Sequence, residues 1–343
     1  MRKIVADSRI PYLRGVLEPW FDVVYAEGTA IGPEPVRDAS ALLVRTRTRC
    51  DAALLTGSAV EFIGTATIGF DHIDTAWCRA QGIEYATAAG CNARGVMQYM
   101  AAALTKLARR RGWRPAEKTL GLVGVGNVGT LVARLGRECG FRVVCCDPPK
   151  MRENPVLGYL PLSDLLEKAD IVTLHVPLNR EGADKTLRMA DETFFRRMKP
   201  GAVFMNASRG EVVDETALKD ALREGRVSDA VIDVWNGEPR IDRELLRLAT
   251  FATPHIAGYS RQGKANGTSM VVRALARHFG LPLTDWYPSE APRQVTDAPL
   301  SWEFVNRTID GYYDIAADDA RLRANPDAFE SLRNDYAYRT EYF

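Results

Sequence analysis

Three polar side chains of different chemistry each follow a short apolar run in the second half of the chain. Arg209 lies in Asn206-Ala-Ser-Arg-Gly210 after the run Ala202 to Asn206. Glu238 lies in Asn236-Gly-Glu-Pro239 after Asp229 to Val234, and His255 follows Phe251-Ala-Thr-Pro254. If those runs are successive strands of a doubly wound sheet, all three groups stand past strand ends, at the edge where ligands bind. A guanidinium, a carboxylate and an imidazole gathered there are the parts needed to oxidise a 2-hydroxy acid. Arg209 would grip the acid's carboxylate as a fork. His255 would take the hydroxyl proton, and Glu238 would orient the imidazole and stabilise its charged form. Taken singly, each residue has an ordinary explanation as a turn ion pair, a turn or a loop contact. Their occurrence at successive strand ends carries the reading.

Such an oxidation needs a hydride acceptor, and Gly124-Val-Gly126-Asn-Val-Gly129 supplies the place for one. The motif follows the apolar run Thr119 to Val123 and opens the helical run Val128 to Cys139, the flanks that a dinucleotide-binding loop requires. Gly124 permits the tight turn, Gly126 lets the backbone approach a pyrophosphate, and Gly129 lets helix and strand pack closely. The amides of Asn127 and Val128 would face the phosphates at the positive end of the helix dipole. Asp147 ends the next strand, 18 residues beyond Gly129. A carboxylate there accepts hydrogen bonds from ribose hydroxyls and repels a 2′-phosphate, so NAD is preferred over NADP.

The elements that must position these groups are written as alternating strand and helix patterns. A first series of candidate strands runs Lys3 to Ala6, Asp22 to Tyr25, Ala41 to Val44, Phe62 to Ala66 and Ile83 to Ala86. After an amphipathic helix at Gly95 to Arg111, a second series runs Thr119 to Val125, Arg142 to Cys146, Asp170 to His175, Ala202 to Asn206, Asp229 to Val234 and Phe251 to Thr253. Another amphipathic stretch, Gly263 to Phe279, precedes a Pro-rich passage that reads as a linker. The last residues, from Trp302 to Phe343, are rich in aromatic side chains. So small a piece should dock on its own chain or on a second subunit, and a dimer contact is the expectation. The basic end of the helix, Arg109-Arg110-Arg111, reads as a solvated helix terminus.

Length and composition agree with this plan. A chain of 343 residues suggests about two domains of roughly 150 residues each. Its 45 basic and 44 acidic residues leave a formal charge of +1, which offers no net attraction to nucleic acid or an anionic membrane. No apolar run is long enough to span a membrane and no signal-like stretch opens the chain, so the expected location is cytoplasmic. The six cysteines form no C-x-x-C pair and read as reduced structural thiols. The four histidines do not pair at helical ligand spacing, so no metal is expected.

Together, Gly124 to Gly129, Asn206-Ala-Ser-Arg-Gly210, Asp233-Val-Trp-Asn-Gly-Glu-Pro239 and Thr253-Pro-His-Ile-Ala257 resemble the D-isomer-specific 2-hydroxyacid dehydrogenases. The resemblance implies an α/β protein in two domains and a tail. A flavodoxin-like parallel substrate domain would comprise residues 1–94 and 257–285, and a Rossmann-type NAD domain residues 95–256. A dimerisation segment would follow at 286–343. The catalytic Arg, Glu and His of the family fall at Arg209, Glu238 and His255.

The substrate domain narrows the choice of acid. Val44-Arg-Thr-Arg-Thr-Arg49 places arginines on alternating positions at a strand end, and Gly64-Thr-Ala-Thr67 adds hydroxyls. Such a site suits a small phosphorylated polyhydroxy acid, with Arg45, and Arg47 beside it, offered to the phosphate. Arg45-Thr46, Gly64-Thr-Ala-Thr67, Gly90-Cys-Asn92, Cys146-Asp-Pro-Pro149, Lys185-Thr-Leu187, Asp233-Val-Trp235 and His255-Ile-Ala-Gly-Tyr259 resemble one branch of the family that handles such a substrate. The substrate set is then Arg45, Thr46, Thr67, Asn92 and Tyr259. The resemblance further implies that Asn127, Val128, Asp147, Val176, Ala207, Ser208, Arg209, Asp233 and Gly258 line the NAD site, and that the protein is a homodimer. Competing readings are a dehydrogenase of the same family acting on 3-phosphoglycerate or hydroxypyruvate, and a non-enzymatic NAD-sensing protein on the same scaffold.

Overall fold

The computed structural model describes every residue except 294, 296 and 297. The chain forms two compact units, Met1–Asn92 with Ser260–Gln294, and Ala93–Tyr259 with Val295–Phe343.

The first unit is a five-stranded parallel sheet of order β2-β1-β3-β4-β5, built from β1 (Arg2–Asp7), β2 (Phe21–Ala26), β3 (Ala39–Val44), β4 (Phe62–Thr65) and β5 (Glu84–Thr87). Parallel strands are covered on both faces, which is why they read as near-continuous apolar runs. Alternate residues divide between two layers. Val5, Leu42, Val44 and Ile63 face one layer, and Ile4, Ala6, Ala41, Leu43 and Phe62 face the other. The second layer is completed by Val271, Val272 and Leu275 of the returning helix Arg261–Phe279. A Cβ on Gly64 would lie 2.5 Å from Val271 Cγ1, so the glycine lets this helix lie directly on β4. Ser260 caps the helix by accepting from the Gly263 amide at 2.9 Å.

The second unit carries a six-stranded parallel sheet of order β11-β10-β9-β8-β6-β7. Its strands are β6 (Thr119–Val123), β7 (Arg142–Cys146), β8 (Ile171–Leu174), β9 (Ala202–Asn206), β10 (Val227–Ile232) and β11 (Phe251–Ala252). The order reverses between β6 and β8, and a ligand crevice is expected at their carboxyl ends. Beyond β7, the Leu160 amide donates to the Cys145 carbonyl at 2.7 Å, a strand-like pass too short to count in the ladder. The six cysteines form no disulfide and are buried, two of them in β7. No helix among the described residues is long and apolar enough to cross a membrane.

The aromatic tail is packed on its own unit. Leu300, Val305, Ile309, Tyr313, Ile315 and Phe343 are buried with Val96, Tyr99, Met100 and Leu107 of the helix Ala93–Arg111. Trp302 stacks on Trp113 with ring centroids 6.3 Å apart and meets Phe141 edge-on. Two of the three arginines expected to be solvated at the end of that helix are paired instead. Arg109 donates to Asn306 Oδ1 at 2.8 Å and also binds Asp310, while Arg111 bridges to Asp229 at 2.8 Å. The acids and amides that meet Arg109 come from the returning tail, which the helix pattern alone could not reveal.

Candidate active site

The glycine turn follows β6 at the reversal of strand order. Gly124 has φ +89°, and a Cβ there would stand 2.5 Å from the His175 carbonyl oxygen and 2.8 Å from Val176 Cγ1. A Cβ on Gly129 would fall 2.1 Å from the Gly124 carbonyl oxygen. Glycine is therefore required at both positions, one by the turn and one by the approach of the helix Asn127–Glu138 to it. Gly126 differs, since nothing lies within 4 Å of where its Cβ would be. Gly126 also caps the helix without a side chain, so the amides of Asn127 and Val128 stand at an N-terminus with no capping oxygen from their own cap residue. An open approach to bare helix amides fits a pyrophosphate.

Asp147 ends β7 as expected, with work of its own there. Its Oδ2 accepts from the Val125 amide at 2.8 Å, and its Oδ1 caps the next turn by accepting from the Lys150 amide at 3.1 Å. The carboxylate thus braces the glycine loop, and its remaining lone pairs are the ones that ribose hydroxyls would use. Val176 lies against Gly124. His175, at the end of β8, bonds through Nε2 to Thr173 Oγ1 at 3.1 Å, while its Nδ1 is buried without a partner. Burial pushes this imidazole down to about 3, so it is neutral.

The three candidate catalytic residues lie on neighbouring loops of the same unit. Arg209 follows β9, and Asn206 shapes its loop. The Asn206 side chain donates to the Arg209 carbonyl at 3.0 Å and accepts from the Ser208 amide at 3.0 Å and hydroxyl at 2.8 Å. The next residue must be glycine, because a Cβ on Gly210 would fall 2.0 Å from the Trp235 carbonyl carbon. The Arg209 loop therefore rests directly on the loop that carries Glu238.

Glu238 meets His255. Its Oε2 lies 2.8 Å and its Oε1 3.1 Å from His255 Nδ1, and Oε1 also accepts from the Trp235 amide at 3.0 Å. Burial pushes the Glu238 carboxyl up. The His255 charge and hydrogen bond, Arg333 and the Trp235 amide outweigh that, and the net direction is down. A carboxylate on Nδ1 holds the proton there, which makes Nε2 the basic nitrogen.

His255 itself has φ +59°, a left-handed backbone that a residue with a side chain adopts at a cost of about 1–3 kcal/mol. Asp233 holds it. The Asp233 carbonyl accepts from the His255 amide at 2.7 Å. Its carboxylate accepts from the Ile256 amide at 2.8 Å, the Ala257 amide at 2.9 Å and Thr253 Oγ1 at 2.7 Å. Asp233 is only 1% exposed. In the sequence it appears as a cofactor contact. In the fold its carboxylate is the buried clasp of the His255 loop.

Sequence reasoning missed two tail residues at this site. Arg333 donates through Nε to the Tyr259 hydroxyl at 3.2 Å and places Nη1 3.5 Å from Glu238 Oε2. Arg339 donates to the carbonyls of Ile256 and Gly95, at 3.1 and 3.0 Å, and to that of Ala257. Tyr259 also packs edge-on against Tyr336 and Tyr338. Two arginines amid tyrosines were the available signal, but nothing in their spacing names a partner about 80 residues earlier.

The expected fan of arginines in the first unit does not form. The strand ends at Val44, and residues 45–48 close a turn in which the Thr48 amide donates to the Arg45 carbonyl at 3.3 Å. Alternation has no meaning in a turn, and two of the side chains go to separate acids. Arg45 grips Asp7 through Nε at 2.9 Å and Nη2 at 3.3 Å, while Arg49 takes Asp51 at 2.7 Å. Asp7 is fully buried, so Arg45 neutralises a core carboxylate first and offers a phosphate only its other N–H donors. Thr46 is exposed. Thr67 shares a hydrogen bond of 2.7 Å with Thr65. Asn92 keeps a buried Oδ1 without a hydrogen-bond partner. Gly258 lies in the turn between His255 and Tyr259.

Comparison with known proteins gives the family. Residues 91–257 match the D-isomer specific 2-hydroxyacid dehydrogenase, NAD binding domain, family. The erythronate-4-phosphate dehydrogenase of Bacteroides fragilis is 47% identical over 340 residues, covering 99% of this chain and 97% of that protein. Its Escherichia coli counterpart is 41% identical over 349 residues, covering 99% and 92%. Among solved structures, a Thermus thermophilus protein superposes with a TM-score of 0.66 at 27% identity, over 82% of this chain and 99% of its own. An Aquifex aeolicus D-lactate dehydrogenase, solved with NAD and lactic acid, shares the fold with a TM-score of 0.67 at 24% identity, over 81% and 96%. The chain belongs to the erythronate-4-phosphate dehydrogenases, within the D-isomer-specific 2-hydroxyacid dehydrogenase family.

Proposed function

We propose that this protein oxidises 4-phospho-D-erythronate at C2 to (R)-3-hydroxy-2-oxo-4-phosphobutanoate, a step of pyridoxal 5′-phosphate (vitamin B6) biosynthesis. NAD, when bound, accepts the hydride. The observation that carries the reading is the Glu238–His255 pair at 2.8 Å, mounted in the same unit as the glycine turn. His255 Nε2 takes the proton of the C2 hydroxyl, and the carboxylate on Nδ1 stabilises the resulting imidazolium. Arg209 holds the substrate carboxylate and so aims C2. Gly124, Gly126, Asn127, Val128 and Gly129 cradle the pyrophosphate, and Asp147 receives the ribose. Val176, Ala207, Ser208, Asp233 and Gly258 complete the lining. Arg45, Thr46, Thr67, Asn92 and Tyr259 recognise the phosphate and hydroxyls of the acid.

The protein acts in the cytoplasm as a homodimer, with the tail segment at the subunit contact. Tyr312, stacked on Tyr342 and still 40% exposed, supports a role for the tail's outer face. Light scattering of the full chain against a tail-face variant tests the dimer. For the reaction, nicotinamide absorbance is followed with 4-phosphoerythronate, 3-phosphoglycerate and hydroxypyruvate. The first is expected to give the highest kcat/KM by at least an order of magnitude. Preference for either of the others would replace this substrate assignment, and turnover of none would leave a binding protein.

A further inference from the structure

The tail sends one cation to the catalytic pair, and its position suggests more than packing. Arg333 reaches Glu238 Oε2, the same oxygen that lies 2.8 Å from His255 Nδ1. Its other contact is the Tyr259 hydroxyl, four residues beyond His255. The guanidinium therefore ties the Glu238 loop to the stretch that follows His255, with only 17% of its side chain exposed.

We infer that Arg333 is a positioning residue that shares the Glu238 carboxylate with His255 and thereby sets the pH at which His255 gains or loses its proton. The inference rests on His255 being the base of the proposed reaction. A carboxylate facing an imidazole alone favours the imidazolium; a second cation on that carboxylate reduces the effect. Without Arg333, Glu238 would serve His255 undivided. His255 would then hold its proton to higher pH and be the working base over a narrower range. The charged and titratable groups that the structure gathers about His255 within its unit are Glu238, Asp233, Arg333, Arg339, the Tyr259 phenol and, on the adjoining loop, Arg209. Glu238 bonds to the imidazole itself. Asp233 and Arg339 are fastened to loop amides and carbonyls, so their positions do not depend on Arg333.

The chain has four histidines, which makes a direct titration practical. Full-length protein labelled at histidine is titrated by NMR, with His255→Asn identifying the resonance. The pH profile of kcat/KM for 4-phosphoerythronate oxidation is measured in parallel. Arg333→Met keeps the aliphatic stem and should raise the His255 midpoint by about half to one pH unit, with the rising limb of the rate profile moving the same way. Arg333→Lys keeps the charge but not the fork that reaches two partners, and should raise the midpoint by less. In a Glu238→Gln background, Arg333→Met should produce a smaller shift, since only the direct repulsion between the two cations remains.

An unchanged midpoint in folded Arg333→Met overturns the inference, as does an equal shift in the Glu238→Gln background. If Arg333→Met does not fold, Arg333→Lys decides by the same midpoint, and no shift there overturns it. The titration needs no substrate. Absence of turnover in the wild-type protein would therefore defeat the proposed function while the coupling was still decided by the titration.

Discussion

Two segments of this molecule stand past the ends of parallel strands, the His255 loop after β11 and the turn at residues 45–49 after β3, yet they are held in different ways. The His255 loop is pinned from beneath. Asp233 takes three hydrogen bonds in a buried position, Arg339 seizes the carbonyls after His255, and Gly210 lets the Arg209 loop lie on the backbone of Trp235. A left-handed backbone at His255 persists because so many groups determine it. The turn at residues 45–49 has two deep anchors, the Arg45–Asp7 pair and the Thr48 hydroxyl on the Gly28 carbonyl, while Arg49 reaches an acid two residues away and is 84% exposed. Chemistry demands a fixed geometry where a proton moves, whereas an anion can be held by a looser set of cations.

Four variants can break or sharpen this contrast. The largest effect is expected at the pinned loop. His255→Ala should lower kcat by about 10²–10⁴-fold, as loss of a general base does, while NAD affinity measured by fluorescence stays as in the wild type. A near-normal rate would remove His255 from the proton transfer. Arg45→Ala should cost about 3 kcal/mol or more of stability in urea, because it strands the buried Asp7 carboxylate. If it raised KM for the phosphorylated acid with stability untouched, Arg45 would be a ligand alone and the anchor reading would be wrong.

A third prediction concerns pH. Burial holds folded His175 near 3, whereas an imidazole in an unfolded chain takes its proton near 6.5. Between those values the unfolded state binds more protons, so this group's contribution to stability is full above pH 6.5 and is lost as pH falls toward 3. It should weaken the protein by about 2 kcal/mol between pH 7 and pH 5. His175→Leu should shrink the difference in Tm between those two pH values, and an undiminished difference would place the acid sensitivity elsewhere. The smallest effect belongs to Arg49→Ala, expected within about 0.5 kcal/mol of wild type and without change in KM. A large KM effect there would restore a phosphate role to the exposed side of the turn.

The readings that agree with the structure concern features whose cause is local. β-branched runs became strands within a residue or two of the expected ends, since both faces of a parallel sheet demand continuous apolar side chains. Gly124 and Gly129 answered to steric needs a few residues away. Arg209, Glu238 and His255 stand three, six and three residues past the ends of β9, β10 and β11, near enough for the strand pattern to place them. The misreadings share the opposite property. Alternation would bring Arg45, Arg47 and Arg49 to one side of a chain that stayed extended past the strand end, but Thr48 Oγ1 bonds to the Gly28 carbonyl at 2.8 Å and helps hold a turn there. Arg109 looked solvated because the tail that pairs with it lies about 200 residues later.

By itself, then, the amino-acid sequence determined the two sheets, the glycine turn and the placing of Arg209, Glu238 and His255 past strand ends, because periodicity and backbone sterics act over a few residues. Only the tertiary structure decided that Asp233 would clasp the His255 loop, that Asp7 would claim Arg45, and that Arg333 and Arg339 would reach the catalytic loop from the tail. Those outcomes depend on which buried polar groups meet once distant segments pack. A buried charge takes whichever partner the fold brings within hydrogen-bond distance.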